Sequence, residues 1–194
     1  PRMAPRPRRA PAPPHPMSSD PATARLRQAE ARLTLAQRVA SPWAMTAALI
    51  DVARGCADVG APVACERFLA AALDWSRLTG SIDQVVDLLC ELCETAETLA
   101  AEDEAQRPGS SIEARQRAHA YAAEAARLAA QVSDPAWEVK VLLRVSDVLD
   151  GMGSHSEAIE LQCRAMTLMS PGAVAVPLHD GPTSWSEFAG LTER

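Results

Sequence analysis

The sequence predicts an all-α protein built as an array of antiparallel helical hairpins. Its 194 residues are 47% hydrophobic, and alanine, leucine and valine carry most of that share, with only two phenylalanines and one tyrosine. Alanine and leucine favour helices, whereas aromatic residues, which favour strands, are scarce in this sequence. Helix start and stop signals recur at regular intervals, and no run of β-branched residues alternates with a period of two.

The start signals are of two kinds. In the first, a polar N-cap residue directly precedes a proline at the first helical position. The three cases are Asp20-Pro21, Ser41-Pro42 and Asp134-Pro135. In the second, a serine is followed three residues later by Glu or Gln, the spacing of a capping box, and this occurs at Ser81, Ser110 and Ser154.

Glycines supply the stop signals. Gly60, Gly80 and Gly153 stand where helices should end, since glycine readily adopts the left-handed conformation of a helix C-terminus. Most connections have two to five residues, which forces successive helices to lie antiparallel. Together the signals predict about seven helices, at residues 21–39, 42–59, 62–79, 82–106, 111–133, 135–152 and 155–169.

This pattern divides the chain into three segments. We expect residues 1–19 to be a disordered, Pro/Arg-rich segment, residues 20–171 to be the helical domain and residues 172–194 to be a loose tail. The proline content of residues 1–16 excludes a helix there. These residues are interpreted as an extension ahead of a true start at Met17, as a disordered basic arm or as part of a longer parent chain. The first interpretation is favoured, because Met17 leads directly into the first helix.

The tail contains one further helix signal. Ser184 and Glu187 have the capping-box spacing, which would start a short helix that runs to Leu191. Trp185, Phe188 and Leu191 would then share one face, at spacings of three residues. Such a helix either docks on its own domain or occupies a groove, its own or that of a neighbouring molecule.

The helices repeat in pairs, most clearly over residues 142–171. The first helix of this pair has apolar packing positions, a glycine makes the turn, and the second helix has two small residues. In order, these are Leu142, Val145, Leu149, Gly153, Ala158 and Ala165. The unit resembles a tetratricopeptide repeat, and the run Glu157-Ala158-Ile159-Glu160 matches that family's pattern well.

Two earlier units follow the pattern less strictly. The first turns at Gly60 and has Cys65 and Ala72 as its small residues, and the middle unit spans residues 81–134. The resemblance covers residues 42–171 and implies a tetratricopeptide-like superhelix. The family expects a bulky aromatic residue early in each first helix, and here an aliphatic residue takes that place. These residues are Leu49, Val85 and Leu142.

Cys90 and Cys93 form the only spacing typical of a metal or redox site. A zinc site would need further ligands at a suitable spacing, and a thioredoxin-like site would need a preceding strand; the sequence has neither. We therefore expect the two cysteines to pack as small hydrophobic residues on one helix face. Phosphate-binding loops and nucleophile elbows are also missing. The sequence predicts a non-enzymatic protein without a cofactor or a bound metal.

The resemblance also implies where a partner would bind. In tetratricopeptide proteins the first helices line a concave groove, and residues between the packing positions face a bound peptide. In this chain those residues are Asp51, Arg54 and Asp58, then Asp83, Asp87, Cys90 and Glu94, and finally Lys140, Arg144 and Asp147. Lys140 and Arg144 lie one turn apart, so both would grip one carboxylate of the ligand. Alternatively, they pair with Asp147 and Asp150 on an exposed surface.

The mostly acidic groove predicts a protein or peptide partner with basic residues. The leading hypothesis is an interaction module or adaptor that binds such a peptide. The alternative is a self-associating regulatory or structural segment of a larger assembly, in which the tail helix would contact a second copy.

Charge and composition exclude other partners. Removing residues 1–16, with their four arginines, leaves 15 of the 19 basic residues against 25 acidic ones, which would repel a nucleic-acid backbone. No apolar stretch approaches the ~20 residues needed to span a bilayer, and a secretory signal is not evident. Five cysteines without a disulfide-scaffold spacing favour the cytoplasm. The excess of 18 arginines over one lysine is typical of a GC-rich, bacterial genome.

Overall fold

The structure, a computed structural model, describes residues 20–170. Within that range it contains seven α-helices and no strand, so the predicted all-α class is confirmed. The predicted helix ends agree with the observed ones to within four residues. The helices are α1 (Pro21–Val39), α2 (Pro42–Asp58), α3 (Pro62–Thr79), α4 (Ile82–Gln106), α5 (Ile112–Ala129), α6 (Pro135–Gly151) and α7 (His155–Met169).

Two predicted segments lie outside the described residues. They are the Pro/Arg-rich segment 1–19 and the tail 172–194 with its expected short helix. Pro171, the last residue of the predicted helical domain, also lies outside.

Carboxylate caps begin two of the helices as predicted. Asp20 accepts a hydrogen bond of 3.3 Å from the backbone N–H of Ala22. Asp134 accepts bonds of 3.0 and 3.2 Å from the N–H groups of Ala136 and Trp137. These bonds satisfy amide groups that have no partner within the first turn of a helix, so they fix where α1 and α6 start.

Helix α5 ends four residues before its predicted end. The N–H groups of Gln131 and Val132 bond to carbonyls three residues earlier, which tightens the chain out of the α-helix. Asp134 has an extended backbone (φ −123°, ψ 94°), which it needs in order to cap α6. The following proline also disfavours a helical conformation at Asp134. The cap of the next helix therefore decides where α5 stops.

The helices pack as three hairpins preceded by a single helix. Helices α2 and α3, α4 and α5, and α6 and α7 form the hairpins, and each hairpin contacts the next through α3 with α4 or α5 with α6. Helix α4 also contacts α6, and α1 packs on α2 alone among the described helices. By contrast, the Cα atoms of α2 and α4 stay more than 8 Å apart. A cleft therefore opens between the first helices of hairpins one and two.

Small residues lie where helices approach closely. Several alanines have no exposed surface, and they include members of α2, α3, α5 and α7 that permit short interhelical distances. They are Ala53, Ala72, Ala118, Ala129 and Ala165. Leucines fill the wider spaces, and Leu69, Leu89 and Leu92 are among the largest fully buried side chains. The core therefore depends on size alternation rather than on aromatic rings.

Candidate functional site

The candidate site is the cleft between α2 and α4, with a volume of about 530 Å³. Ile50 of α2 and Leu88 of α4 provide its apolar walls, and Arg144 of α6 closes one side. The remaining lining is charged or polar. The cleft exists because α2 and α4 do not pack against each other, so side chains between them face solvent instead of a helix.

An ion pair crosses the cleft. Arg54 of α2 donates a hydrogen bond of 2.8 Å to Glu91 of α4, and both residues line the cleft. The Arg54 side chain is 65% exposed, so water screens this pair. The interaction is therefore a link that a ligand with its own cation is able to replace.

A second ion pair joins α4 to α6. The guanidinium of Arg144 donates two hydrogen bonds to the carboxylate of Glu94, one of them 3.0 Å long between Nη2 and Oε2. The two bonds raise the pKa of Arg144 above its ordinary value. Arg144 thus binds a carboxylate of its own chain, and neither Asp147 nor Asp150 pairs with it.

Asp83 and Asp87 are the carboxylates of the cleft that remain unpaired. They lie one helical turn apart on α4, and neither makes an ion pair with another described residue. Loss of water in the cleft raises the pKa of Asp87, and Arg144 offsets part of that rise. An unpaired carboxylate that has lost part of its hydration is a favourable partner for a ligand cation.

Trp43 does not line the cleft, but it lies on the side of α2 that carries Ile50. It precedes Ile50 by seven residues on α2, or about two helical turns, and therefore projects from the same side of the helix. Its surface is 56% exposed, which is unusual for a tryptophan that only packs in a core. Exposed tryptophans are enriched among the residues that dominate binding energies.

Asp51 and Asp58 were expected in the groove, and both pair with α1. Asp51 lies 2.9 Å from the guanidinium of Arg32, and Asp58 lies 3.1 Å from that of Arg25. Their carboxylates thus help to hold α1 on α2 and are not directed at α4. The cleft has fewer available carboxylates on α2 than the sequence pattern predicts.

Cys90 and Cys93 lie in the core of the array. They are 1% and 0% exposed, and Cys93 Sγ donates a hydrogen bond of 3.4 Å to the carbonyl of Ala118. Burial raises the pKa of each thiol to about 12, so the unreactive thiol form dominates at neutral pH. Across residues 20–170, no three His, Cys, Asp or Glu side chains are grouped as a metal site would require.

Lys140 and Asp147 occupy exposed positions on α6 and make no ion pair with a described residue. Asp150 instead contacts His155 at 2.6 Å. The structure therefore brings Arg54, Asp83, Asp87 and Arg144 together in one cleft and leaves the other proposed residues elsewhere.

Five residues that line the cleft were not predicted as part of the site: Ile50, Ser81, Gln84, Leu88 and Glu91. Glu91 continues the four-residue spacing of Asp83 and Asp87 along α4, a signal that is present in the sequence. Ile50 follows the buried Leu49, and Leu88 is itself a core residue, so neither position indicated a role in lining the cleft.

In residues 20–170, no helix is both long enough and apolar enough to cross a membrane. Neither a protein-family model nor a curated protein matches the sequence. The tetratricopeptide resemblance, which depends on the repeat pattern, stays a prediction.

Proposed function

We propose that this protein is a non-enzymatic interaction module that binds a basic segment of a partner protein in the cleft between α2 and α4. The proposal rests on Asp83 and Asp87, two carboxylates that make no ion pair with another described residue. They lie beside the half-buried Ile50, so the cleft offers both charge and a small apolar contact, whereas Leu88 in the same lining is only 2% exposed. A ligand cation supplies the missing partner for each aspartate, and an apolar ligand residue covers Ile50.

The spacing of the aspartates predicts the spacing of the ligand's cations. Four residues of an α-helix rise by about 6 Å. In an extended peptide, side chains two residues apart lie on one side at a separation of roughly 6.6 Å. A segment with arginine or lysine at positions i and i+2 therefore matches Asp83 and Asp87. Trp43 offers a cation–π contact to a further basic residue at one end.

We also propose that the array is tetratricopeptide-like. Support comes from the contact of α4 with α6, which joins the first helices of successive hairpins, and from the burial of the small residues Ala72, Ala158 and Ala165. A bacterial, cytoplasmic setting belongs to the same proposal. The excess of 18 arginines over one lysine supports the bacterial source, and five free cysteines, four of them buried, support the cytoplasm.

A peptide with a fluorescent label and an Arg-x-Arg sequence tests the proposed ligand. We expect Asp83→Asn with Asp87→Asn to weaken its binding by about tenfold or more, since two charge pairs are lost. The matched control, Glu113→Gln with Glu160→Gln, removes two exposed charges from α5 and α7 and should bind like the wild type.

A second peptide of equal charge, with its two arginines four residues apart, separates spacing from net charge. Equal binding of both peptides, or equal loss in both double variants, would show that the cleft recognises no specific segment.

A second candidate function is self-association through the ends of the array. Leu35 and Val39 on α1 are each 62% exposed, and Ile159 and Met166 form a similar stripe on α7. Exposed apolar stripes at both ends would let one copy stack on another. Sedimentation velocity tests this: we expect a dimer in the wild type and a monomer for Leu35→Glu. A monomer at all concentrations removes this candidate.

A further inference from the structure

The N-terminal segment of the same chain has the chemistry that the cleft requires. We propose that residues 1–16 occupy the cleft between α2 and α4 of their own molecule and thereby compete with the partner. This inference rests on the proposed function, because it assumes that the cleft binds basic segments. It takes residues 1–16 as the basic arm of the chain and not as an extension ahead of Met17. It adds residues 1–16 as an occupant of the cleft. It also adds a form of regulation, because the partner must displace that occupant in order to bind.

Charge and spacing point to this occupant. Residues 1–16 contain four arginines and no acidic residue. Arg6 and Arg8 are two residues apart, which is the separation that Asp83 and Asp87 favour in an extended ligand. Pro7 lies between them and disfavours a helical backbone at Arg6.

The attachment point of the segment lies close to the cleft. Arg25, in the second turn of α1, reaches Asp58 at the end of α2 at 3.1 Å. Asp58 is one helical turn from Arg54, whose guanidinium contacts Glu91 inside the cleft. The beginning of α1 therefore lies near the end of the cleft that the Arg54–Glu91 pair occupies.

The chain between Arg8 and Asp20 is long compared with the distance of about 12 Å that separates Glu91 from Asp83 along α4. Its 12 residue steps span up to about 40 Å when extended. Even a flexible coil of this length has an end-to-end distance of roughly 20 Å. A tether this short also gives the segment an effective concentration in the millimolar range, so even a weak contact would fill the cleft much of the time.

Occupation in cis has a measurable consequence. A partner binds only the fraction of molecules whose cleft is open, so its apparent dissociation constant rises in proportion. If the segment fills about nine clefts in ten, removal of its arginines should tighten binding about tenfold.

The test measures fluorescence anisotropy of a labelled synthetic peptide with the sequence of residues 1–16. It compares the wild-type full chain with a full-chain variant in which all four arginines of the segment are changed to glutamine. These changes are Arg2→Gln, Arg6→Gln, Arg8→Gln and Arg9→Gln. We expect the variant to bind the peptide about tenfold more tightly, and we expect this gain to vanish when Asp83→Asn and Asp87→Asn are added.

A matched control separates cleft occupation from net charge. It removes four exposed arginines of the helical array that make no ion pair with a described residue. These changes are Arg27→Gln, Arg38→Gln, Arg67→Gln and Arg127→Gln. This control should bind the peptide like the wild type; tightening equal to that of the segment variant would overturn the inference.

The remaining outcomes are distinguishable. Equal binding by the wild type and the segment variant, lost from both with Asp83→Asn and Asp87→Asn, would overturn the inference and leave the proposed function standing. Binding that never depends on the two aspartates would overturn both. A wild-type dimer that becomes a monomer in the segment variant would show that the segment occupies the cleft of a second copy, which overturns the arrangement in cis.

Discussion

Arg54 of α2 and Glu91 of α4 form a 2.8 Å hydrogen bond across a gap in which the Cα atoms of the two helices stay more than 8 Å apart. On this face of the array, the pair takes the place of direct helix packing between hairpins one and two. Between hairpins two and three, α4 and α6 do pack, and Glu94 with Arg144 adds to that contact. Within the described residues, α2 and α4 are therefore the only successive first helices that are linked by side chains alone, and the cleft lies between them.

Removing the cross-cleft cation should strengthen binding of a basic ligand. Arg54→Met leaves Glu91 without its partner, so the cleft gains a third available carboxylate. We expect an Arg-x-Arg peptide to bind more tightly by several-fold, and the free energy of unfolding to fall by less than about 1 kcal/mol, since the pair is exposed. Anisotropy and urea unfolding measure the two effects. Weaker binding would mean that Arg54 itself contacts the ligand.

The raised pKa of Asp87 predicts that the stability of the folded state depends on pH. Its folded-state pKa lies above the ordinary 3.8, so its charge destabilises the folded state at neutral pH, and this effect disappears as the pH falls below 3.8. Asp87→Asn should therefore be more stable than the wild type near neutral pH, by less than about 1 kcal/mol because the residue keeps part of its contact with water. The difference should shrink as the pH falls through the raised pKa.

The affinity for a basic peptide should also depend on pH, because binding requires the charged carboxylate of Asp87. Affinity should fall as the pH drops through the raised pKa, at a higher pH than an ordinary aspartate would give. An affinity that stays constant down to 3.8 would contradict this reading of the site.

The buried thiols should not react with thiol reagents while the protein is folded. Cys163 is exposed, whereas the other four cysteines are buried, and burial raises the pKa of both Cys90 and Cys93 to about 12. A colorimetric thiol reagent at about pH 8 should label Cys163 rapidly and all five cysteines only after unfolding. Mass spectrometry identifies the labelled residue, and rapid labelling of Cys90 would revive a chemical role for the pair.

Because α5 packs closely on one side only, substitution of its alanines by leucine should cost different amounts of stability at different positions. Ala118 is fully buried and its carbonyl accepts the hydrogen bond from Cys93, whereas Ala123, on the same helix, is exposed. Ala118→Leu should destabilise the fold by about 1–3 kcal/mol through overpacking, and Ala123→Leu should change stability by less than about 0.5 kcal/mol. Urea unfolding measures both, and similar values would mean that α5 is not packed as described.

Helix positions were predictable because their signals are local. Asp20 and Asp134 cap the helices they precede, and the glycine at position 80 adopts φ 73° where α3 ends. The end of α5 was missed because the cap of α6 needs an extended backbone at Asp134, so the chain leaves the α-helix several residues earlier although its sequence is rich in alanine.

The site was predictable only in part, because a helix pattern does not show which neighbour a charge meets. Asp51 and Asp87 each follow an equivalent packing residue, Leu49 or Val85, by two positions. Arg32 of α1 pairs with Asp51, whereas no described residue forms an ion pair with Asp87. Gly55 illustrates the same limit: a Cβ there would lie 3.1 Å from the backbone of Leu26, so its role in seating α1 becomes visible only once the helices are packed.

An NMR titration of the ¹⁵N-labelled chain with an unlabelled Arg-x-Arg peptide shows whether the cleft between α2 and α4 binds a basic segment. We expect amide shifts that cluster at residues 50–54 of α2 and 83–91 of α4, and that disappear with Asp83→Asn and Asp87→Asn. Shifts confined to the ends of the array at α1 and α7, or unchanged by the two substitutions, would contradict this expectation.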